Sequence, residues 1–532
     1  MKRLPLGIQN FREIINDGHV YVDKTQYIYR ALEEAKYYFL SRPRRFGKSL
    51  LLDTIAEVFS GNKELFKGLW IYGSDYEFAK HPVLRLDMST IANKTPETLE
   101  SELSIELMRR AREEGFDIDY GMPSTIFKVL IEALHVKYGR RVVILIDEYD
   151  KPILDHVDDI KMASANRKVV KGFYGILKGM DPHIRLTFMT GVSRFTKTSV
   201  FSELNNMLDI TMSEQYANIC GIAVEDLGKY FGEHIEALAP LKRFKQLGSV
   251  HDEILAWYDG YSWDGETRVL NPFSLLSFFM QKRFSGFWYS SGTPAFLMNL
   301  IRKDPSIYAK LDNLWITEGM LDSYELDRID GKLLLFQAGY LTVKELRLTG
   351  GADEYLLGIP NFEVREAFNL HVLGALAESG QPSVKGTQLD IIEALSGGDL
   401  QQVLALLRAL FASIPYQLHV KEEAYYHSLF IAVLNVLGLK IEAEVSVSGG
   451  SVDAVLELED KVYVMEFKYM GCAPDATQEE KDRLYELALS KGMGQIKDKG
   501  YAKRYSGTGK AIYLTAFAFL GRDDIEMRTE QQ

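Results

Sequence analysis

The feature that most constrains the fold is an uninterrupted apolar run at residues 142–146, with the sequence VVILI. A strand with one face in water alternates apolar and polar residues, so a continuous run predicts a strand buried on both faces. Other strand-like segments, at residues 37–40, 83–86 and 184–190, alternate along the chain with helix-like segments. Since such alternation is typical of parallel sheets, the pattern predicts an α/β fold with a doubly wound sheet.

A loop between the first strand and a helix ends in Gly47-Lys48-Ser49, the ending of the phosphate-binding P-loop pattern. The glycine lets the backbone approach a phosphate, the lysine neutralises phosphate oxygens, and the serine hydroxyl is a ligand for Mg²⁺. The pattern normally begins with glycine, and Arg42 stands there instead. An ordinary strand-to-helix turn could contain the same three residues, so the loop alone leaves both interpretations open.

The apolar run at residues 142–146 is followed by Asp147 and Glu148. In a P-loop ATPase, Asp147 would hold Mg²⁺ through water, and Glu148 would polarise the attacking water. Two solvated carboxylates at a strand end are common. Their combination with a Gly-Lys-Ser loop in an alternating α/β pattern favours an ATPase that uses ATP and Mg²⁺.

The segment at residues 184–190 continues into Thr190-Gly191-Val192-Ser193-Arg194. A polar residue at this strand end can reach the γ-phosphate or the attacking water, and the candidates are Thr190 and Ser193. Arg194 could sense phosphate in its own chain or act on a neighbouring one, and an ordinary turn remains the alternative for each residue. The predicted nucleotide-binding residues are Arg45, Phe46, Gly47, Lys48, Ser49, Asp147, Thr190 and Arg194, with Ser49 and Asp147 as Mg²⁺ ligands.

Several stretches together resemble the AAA-ATPase-like family. They are residues 21–25 (YVDKT), 42–49 (RPRRFGKS), 147–150 (DEYD), 190–195 (TGVSRF), 257–261 (WYDGY) and 271–273 (NPF). The resemblance implies an ATPase core, a helical or winged-helix lid and a C-terminal PD-(D/E)xK nuclease-like domain. The RPRRFGKS form is a hallmark of that family, so Arg42 is no departure from it. Residues 23–25 would line the nucleotide pocket or, equally, cap the helix that begins at Gln26.

The order of these stretches predicts three parts. They are a P-loop AAA-like ATPase domain at residues 1–211, a helical or winged-helix lid and linker region at 212–385, and a nuclease-like domain of α/β restriction-endonuclease type at 386–532. Within the middle part, residues 285–385 are expected to be mainly helical. Residues 378–383 (ESGQPS) have the composition of a linker.

A cluster of charged residues is predicted on a hairpin in the last part. Asp453 begins one strand-like segment, and Glu466 and Lys468 lie two residues apart on the next, so their side chains share a face. Two carboxylates beside a lysine suit metal-assisted phosphodiester hydrolysis, with Asp453 and Glu466 holding Mg²⁺ or Mn²⁺ and Lys468 stabilising charge on phosphate. A half-exposed hairpin with charges facing solvent would give the same pattern.

The order of polar residues in this part resembles the PD-(D/E)xK superfamily. The resemblance implies that Glu423 is the acidic residue of the preceding helix and Gln495 is an accessory polar residue of a later helix. The predicted catalytic residues are Glu148, Glu423, Asp453, Glu466, Lys468 and Gln495. His427 follows Glu423 by one helical turn. This part of the chain is acidic overall, so phosphate contacts would fall to the basic stretch at residues 491–510.

Composition narrows the class of protein further. The net charge is −12, which excludes a protein that coats nucleic acid through general basicity. The N-terminus has no apolar signal-peptide core, no run is long enough to span a membrane, and there are 2 cysteines. These features predict a cytoplasmic protein without membrane attachment.

The function predicted from these patterns is an ATPase whose nucleotide state gates a metal-dependent nuclease-like domain acting on DNA or RNA. The alternative is a nucleotide-gated signalling or scaffold switch whose C-terminal domain binds without cleaving. A metabolic kinase is disfavoured, because a long AAA-like lid region follows the P-loop. The predicted partners are ATP and nucleic acid, and a homo-oligomer or a regulatory protein partner is left open.

Overall fold

The structure is a computed structural model of the chain. It describes residues 1–194, 206–245, 249–288, 314–322, 331–368, 390–391, 393–412, 441–447, 450–458, 460–473, 476–507, 509–520 and 524–532. Contacts divide the described residues into a larger unit between Met1 and Val364 and a smaller unit between Arg365 and Gln532. Within these ranges, no helix has both the length and the apolar composition needed to cross a bilayer.

A five-stranded parallel sheet with strand order β2-β3-β4-β1-β5 forms the centre of the larger unit. Its strands are β1 (Tyr37–Ser41), β2 (Val83–Asp87), β3 (Val142–Asp147), β4 (Ile184–Gly191) and β5 (Leu208–Asp209). Every residue of β1 and β3 is buried, as expected for strands covered on both faces. The predicted doubly wound α/β sheet is confirmed.

Helices connect these strands and position their carboxyl ends. They are α1 (Phe11–Asn16), α2 (Thr25–Glu34), α3 (Lys48–Phe59), α4 (Pro96–Glu113), α5 (Pro123–Tyr138), α6 (Lys151–Leu154) and α7 (Ile160–Gly179). The connection after β1 runs to one edge of the sheet, whereas the connections after β3 and β4 run toward the other. Ligands of open α/β sheets bind at the carboxyl ends of the strands where the direction changes.

The rest of the larger unit adds a helical layer and a small sheet. Its elements are β6 (Ile222–Ala223), α8 (Val224–Glu236), α9 (Val250–Tyr258), β7 (Val269–Leu270), α10 (Pro272–Gln281), β8 (Leu314–Thr317), α11 (Glu318–Asp322), α12 (Gly331–Ala338), β9 (Thr342–Thr349) and β10 (Ala352–Gly358). The expectation that residues 285–385 are mainly helical is wrong for β8, β9 and β10, which form an antiparallel sheet. Gly350 and Gly351, both with positive φ, make the tight β9–β10 turn that the sequence analysis overlooked.

The smaller unit is built on a second five-stranded sheet with strand order β11-β12-β13-β14-β15. Its elements are α13 (Leu400–Ala412), β11 (Ile441–Val447), β12 (Gly450–Glu457), β13 (Lys461–Met470), α14 (Gln478–Asp498), β14 (Ala511–Leu520) and β15 (Asp524–Gln531). Strands β13 and β14 are parallel and the other pairs are antiparallel, because α14 carries the chain back across the sheet between them. The predicted hairpin of β12 and β13 therefore forms.

Candidate functional site

The loop after β1 has the backbone geometry of an anion site. Gly47 has φ 90°, a left-handed conformation that favours glycine, and α3 begins at Lys48 directly after it. Because the N-cap residue Gly47 has no side chain that could accept from the first turn of α3, the N–H groups of that turn point out of the helix start. Ser49 follows in this first turn. A phosphate placed here would accept these hydrogen bonds at the positive end of the helix dipole.

Lys48 is buried at the centre of this loop, with 5% of its surface exposed. Its Nζ donates to the carbonyl oxygens of Arg42 and Pro43 at 2.9 and 3.0 Å. Burial lowers the pKa of Lys48, and the nearby carboxylates of Asp147 and Glu148 oppose that shift. The ammonium thus contacts carbonyl oxygens of the protein at the place where a bound phosphate would present its own oxygens.

Strand β4 lies between β1 and β3, and so brings Thr190 between the phosphate loop and the carboxylates. The Thr190 hydroxyl donates to Asp147 Oδ1 at 2.5 Å. Glu148 has φ 50°, an uncommon conformation for a non-glycine residue, and burial raises the pKa of its carboxyl group. The structure therefore brings Lys48, Asp147, Glu148 and Thr190 together at one edge of the sheet.

Asp150 is a site residue that the sequence analysis did not assign. It is 1% exposed, and its Oδ2 accepts hydrogen bonds from Val192 N at 3.0 Å and from Ser193 N and Oγ at 2.6 and 2.5 Å. This contact fixes the chain just after β4 and engages the Ser193 hydroxyl. Of the two polar candidates, Thr190 is thus the one beside Asp147. The repeated acidic residue in DEYD was the available signal for Asp150.

Arg194 is held within the chain. Its Nη2 lies 2.8 Å from Asp209 Oδ2, and its Nε lies 3.1 Å from the same oxygen. Only 6% of Arg194 is exposed. Because Asp209 belongs to β5, next to β1, this ion pair fixes the end of the β4 segment across the sheet.

An apolar cavity that is open to solvent lies directly beside Gly47. Its walls come from the N-terminal segment, the start of α3, the residues before α8 and the start of α10. They include Pro5, Val20, Val22, Phe46, Ile219, Ile222, Pro272 and Leu276. Lys24 also lines it, with Nζ donating to Asn218 Oδ1 at 2.6 Å. A flat apolar group attached to a phosphate in the loop would meet these apolar walls.

Two predicted nucleotide ligands, Arg45 and Phe46, face the helical layer. The Arg45 guanidinium lies 3.7 Å from the centroid of the Phe273 ring. Phe46 is 1% exposed and packs edge-on against Tyr261, with ring centroids 4.8 Å apart. Asp23 accepts hydrogen bonds from Thr25 N and Trp70 N, so it fixes the start of α2.

The second cluster lies on the β12–β13 hairpin. Glu466 is fully buried, and Lys468 Nζ lies 3.0 Å from its Oε1 and 2.8 Å from the Phe467 carbonyl oxygen. Asp453 Oδ2 accepts a hydrogen bond from Phe467 N at 2.8 Å. The three predicted side chains therefore meet on one face of the hairpin, and Glu466 and Lys468 are buried instead of solvent-facing.

Comparison with known proteins matches two parts of this chain to known families. Residues 5–201 match the family described as predicted AAA-ATPase, and residues 421–528 match the PD-(D/E)XK nuclease superfamily. An uncharacterized protein in the vnfD 5′ region of Azotobacter chroococcum mcd 1 is 35% identical over 525 residues, which cover 97% of this chain and 96% of that protein. The chain belongs to the AAA-ATPase-like family. The ORC2 protein of Aeropyrum pernix aligns with 12% identity and a TM-score of 0.27, over 66% of this chain and 93% of that one.

The nuclease-like domain of this AAA-ATPase-like protein has a donor set that suits a divalent cation. Within the described part of the chain, Glu466 Oε2 is buried without a hydrogen-bond partner. Burial, together with the Asp453 carboxylate, raises the pKa of Glu466 to about 6. A buried carboxylate oxygen that lacks a donor and lies near a second carboxylate is what a hard cation would satisfy. Among the described residues, no group of three or more acidic, histidine or cysteine side chains is gathered, so a third ligand would come from elsewhere.

Gln495 and Glu423 complete the set that the superfamily resemblance implies. On α14, a Cβ added to Gly492 would lie 3.7 Å from Lys468 Cγ and 3.9 Å from Glu466 Cγ, so this helix packs directly over the cluster. Gln495 lies one turn further along α14, on the same face. Glu423 and His427 lie outside the described residues, and the role of Glu423 stays a prediction.

Proposed function

We propose that this protein binds and hydrolyses ATP in its larger unit, and that its nucleotide state gates a metal-dependent nuclease in its smaller unit. The single observation that carries the nuclease half is the buried Glu466 carboxylate, which has one oxygen paired with Lys468 and one that no described residue satisfies. A residue that only stabilised the hairpin would not leave a buried charged oxygen unsatisfied. We propose a cytoplasmic location as well.

In the ATPase half, the chain supplies phosphate contacts, a base cavity and a group that orients water. The N–H groups at the start of α3 and the Lys48 ammonium would bind the phosphates, and the cavity beside Gly47 would take the adenine base. Ser49 and Asp147 would hold Mg²⁺, which neutralises phosphate charge. Glu148, whose pKa is raised by burial, would orient the attacking water and take its proton. Thr190 would keep Asp147 in place.

In the nuclease half, Asp453 and Glu466 would hold Mg²⁺ or Mn²⁺, which supplies charge neutralisation and an activated water. Lys468 would stabilise the negative charge that develops on the phosphate. Its ammonium already lies against Glu466 and the Phe467 carbonyl, so its position is set before the substrate arrives. Gln495 and the basic residues after it would contact the DNA or RNA backbone.

The gating step rests on the presence of both sites in one chain. ATP binding would break the hydrogen bonds between Lys48 and the loop carbonyls, because the phosphates would take the place of these carbonyls. Hydrolysis would restore the hydrogen bonds. We propose that this change sets the access of nucleic acid to the nuclease-like domain.

The test is a cleavage assay on single- and double-stranded DNA and on RNA, with ATP, ADP or no nucleotide, and with Mg²⁺ or Mn²⁺. Lys48→Ala should lose ATP binding, and Glu148→Gln should keep binding and lose turnover. Asp453→Ala and Lys468→Ala should both lose cleavage, whereas only Asp453→Ala should also lose metal affinity. Glu457→Gln, on an exposed residue of β12, is the matched control and should leave cleavage unchanged.

Two results would contradict the proposal in different ways. If the unmodified protein hydrolyses ATP but cleaves no substrate under any condition, the nuclease half is wrong and the switch with a binding domain takes its place. If cleavage is the same with every nucleotide and in Lys48→Ala, the gating step is wrong.

A further inference from the structure

The phosphate loop of this protein carries bulky side chains where a P-loop ordinarily begins with glycine. Arg42, at the glycine position, is fully buried. Its guanidinium donates to the carbonyl oxygens of Ser41 and Thr211 at 2.9 and 2.8 Å, and its carbon lies 3.8 Å from the centroid of the Trp263 ring. Burial lowers the pKa of Arg42 to about 10, so the group stays charged at neutral pH. The positive charge faces the protein interior and is not free to bind phosphate.

The neighbouring loop residues also contact tryptophan side chains. Phe46 packs edge-on against Trp263, with ring centroids 5.5 Å apart, and the Arg44 carbonyl accepts a hydrogen bond from Trp288 Nε1 at 3.3 Å. A Cβ added to Gly339 would lie 2.8 Å from Pro43 Cβ, so the backbone there approaches the loop closely. The aromatic cage, defined here as Tyr261, Trp263, Phe273 and Trp288, thus contacts the loop along its length.

These contacts also hold the residues that position Lys48, the proposed phosphate-binding lysine. Lys48 donates to the carbonyl oxygens of Arg42 and Pro43, the residues held by Trp263 and by the close approach of Gly339. Arg45 has φ 69°, a left-handed conformation that disfavours non-glycine residues and that surrounding contacts must maintain. The side chains of Arg42, Arg45 and Phe46 are held by the cage, so the loop backbone and Lys48 remain to bind phosphate.

We propose that Trp263 is a positioning residue for the nucleotide site, acting through Arg42. By stacking on the guanidinium it holds the loop carbonyls and the N–H groups of α3 in the orientation that receives phosphate. It also ties that orientation to the segment between α9 and β7, to which Trp263 belongs, so that nucleotide binding and the position of this segment depend on each other. The inference rests on the proposed ATP site.

The experiment compares Trp263 with a matched pair elsewhere in the larger unit. Trp315 on β8 stacks on the Arg347 guanidinium at 3.6 Å, the same chemistry in the antiparallel sheet. Trp263→Leu should weaken ATP binding about tenfold, which corresponds to about 1.4 kcal/mol, whereas Trp315→Leu should change it less than about twofold. Trp263→Phe keeps an aromatic face and should recover most of the affinity. ATP and ADP affinity are measured by isothermal titration, and folding by the melting temperature.

A spectroscopic measurement separates positioning from simple packing. In the variant Trp315→Phe, the tryptophan fluorescence should change on addition of a non-hydrolysable ATP analogue. In the variant Trp263→Phe, the same addition should give a smaller change, because the tryptophan that contacts the loop is missing. If the unmodified protein binds no ATP, the proposed function is wrong. If it binds ATP and Trp263→Leu, folded, binds with the same affinity, or if Trp263→Phe is as impaired as Trp263→Leu, the positioning role is wrong.

Discussion

Replacing Glu466 by glutamine tests whether this buried carboxylate is a ligand waiting for a cation or a stabilising ion pair. The pKa of Glu466 is raised from 4.5 to about 6, first by burial and then by Asp453, even though Lys468 lies 3.0 Å away. In the window between these two values the folded protein binds more protons than the unfolded chain, so stability falls as pH rises through it. At about 1.4 kcal/mol per pH unit, the charged carboxylate costs about 2 kcal/mol above that window.

Glutamine resembles the protonated acid and keeps an oxygen that can accept from Lys468. We therefore expect Glu466→Gln to stabilise the smaller unit by about 2 kcal/mol at about pH 7.5, which corresponds to about 4–8 °C in its melting temperature. The difference should shrink to less than about 0.5 kcal/mol near pH 4.5, where the acid is protonated in the folded protein and half protonated in the unfolded chain. Scanning calorimetry at the two pH values, in a chelating buffer, measures it. Glu457→Gln removes an exposed partner of Lys510 on β12 and should shift the melting temperature little.

Divalent metal should reverse the order of the two melting temperatures. With Mg²⁺ or Mn²⁺ present, the cation satisfies the charged oxygen of the unmodified protein, so its melting temperature should rise while that of Glu466→Gln stays constant. If Glu466→Gln instead lowers the melting temperature at about pH 7.5 in chelating buffer, the carboxylate is net stabilising and the reasoning about its burial is refuted.

Three further substitutions test the polar scaffold behind the ATPase site. Gly191→Ala would place a Cβ 2.5 Å from the Tyr149 ring and should lower the free energy of unfolding, measured with denaturant, by about 1–3 kcal/mol. Its control, Gly172→Ala, has open space at its Cβ and should be neutral or stabilising. Asp150→Asn should cost about 1–3 kcal/mol, because the three hydrogen bonds from Val192 and Ser193 all meet one oxygen, and a neutral amide oxygen accepts them less strongly than a carboxylate oxygen. Ser193→Ala removes one of the three and should cost about 1 kcal/mol; equal losses for Asp150→Asn and Ser193→Ala would contradict this account.

The parts of the structure that sequence could predict are those set by local patterns. The buried run of β3 and the glycine before α3 are read from adjacent residues, since strand burial and a left-handed turn are local properties. The same holds for the hairpin that pairs β12 with β13. The two-residue strands β5, β6 and β7 are too short to show any periodicity. Strand β15 carries charges on a half-buried edge, so it lacked an apolar signal.

The fate of the loop arginines could not be predicted in this way. The loop before Gly47 contains Arg42, Arg44 and Arg45, and the sequence offered no means to tell which of them was exposed. Arg42 is buried because Trp263 and the carbonyls around Thr211 reach it from distant parts of the chain. Tertiary packing decides whether a charged side chain is exposed to a ligand or buried in the core, and such packing has no local sequence pattern.

The two lysines that the sequence singled out share one arrangement that bears on mechanism. Lys48 and Lys468 are both buried, at 5% and 8% exposure, and both direct Nζ at oxygens of their own chain. A lysine in solvent would lose rotamer freedom and its water shell when it bound a phosphate, whereas these two have lost both on folding. A phosphate has then only to compete with a carbonyl or a carboxylate for a cation already in place. Methionine at either position would fill the volume without the charge. Lys48→Met should fold with a melting temperature near that of the unmodified protein, whereas Lys468→Met leaves the buried Glu466 carboxylate without its cation and should lower the melting temperature at about pH 7.5. Each should lose only the activity of its own site, and loss of ATP binding in Lys468→Met would contradict the separation of the two sites.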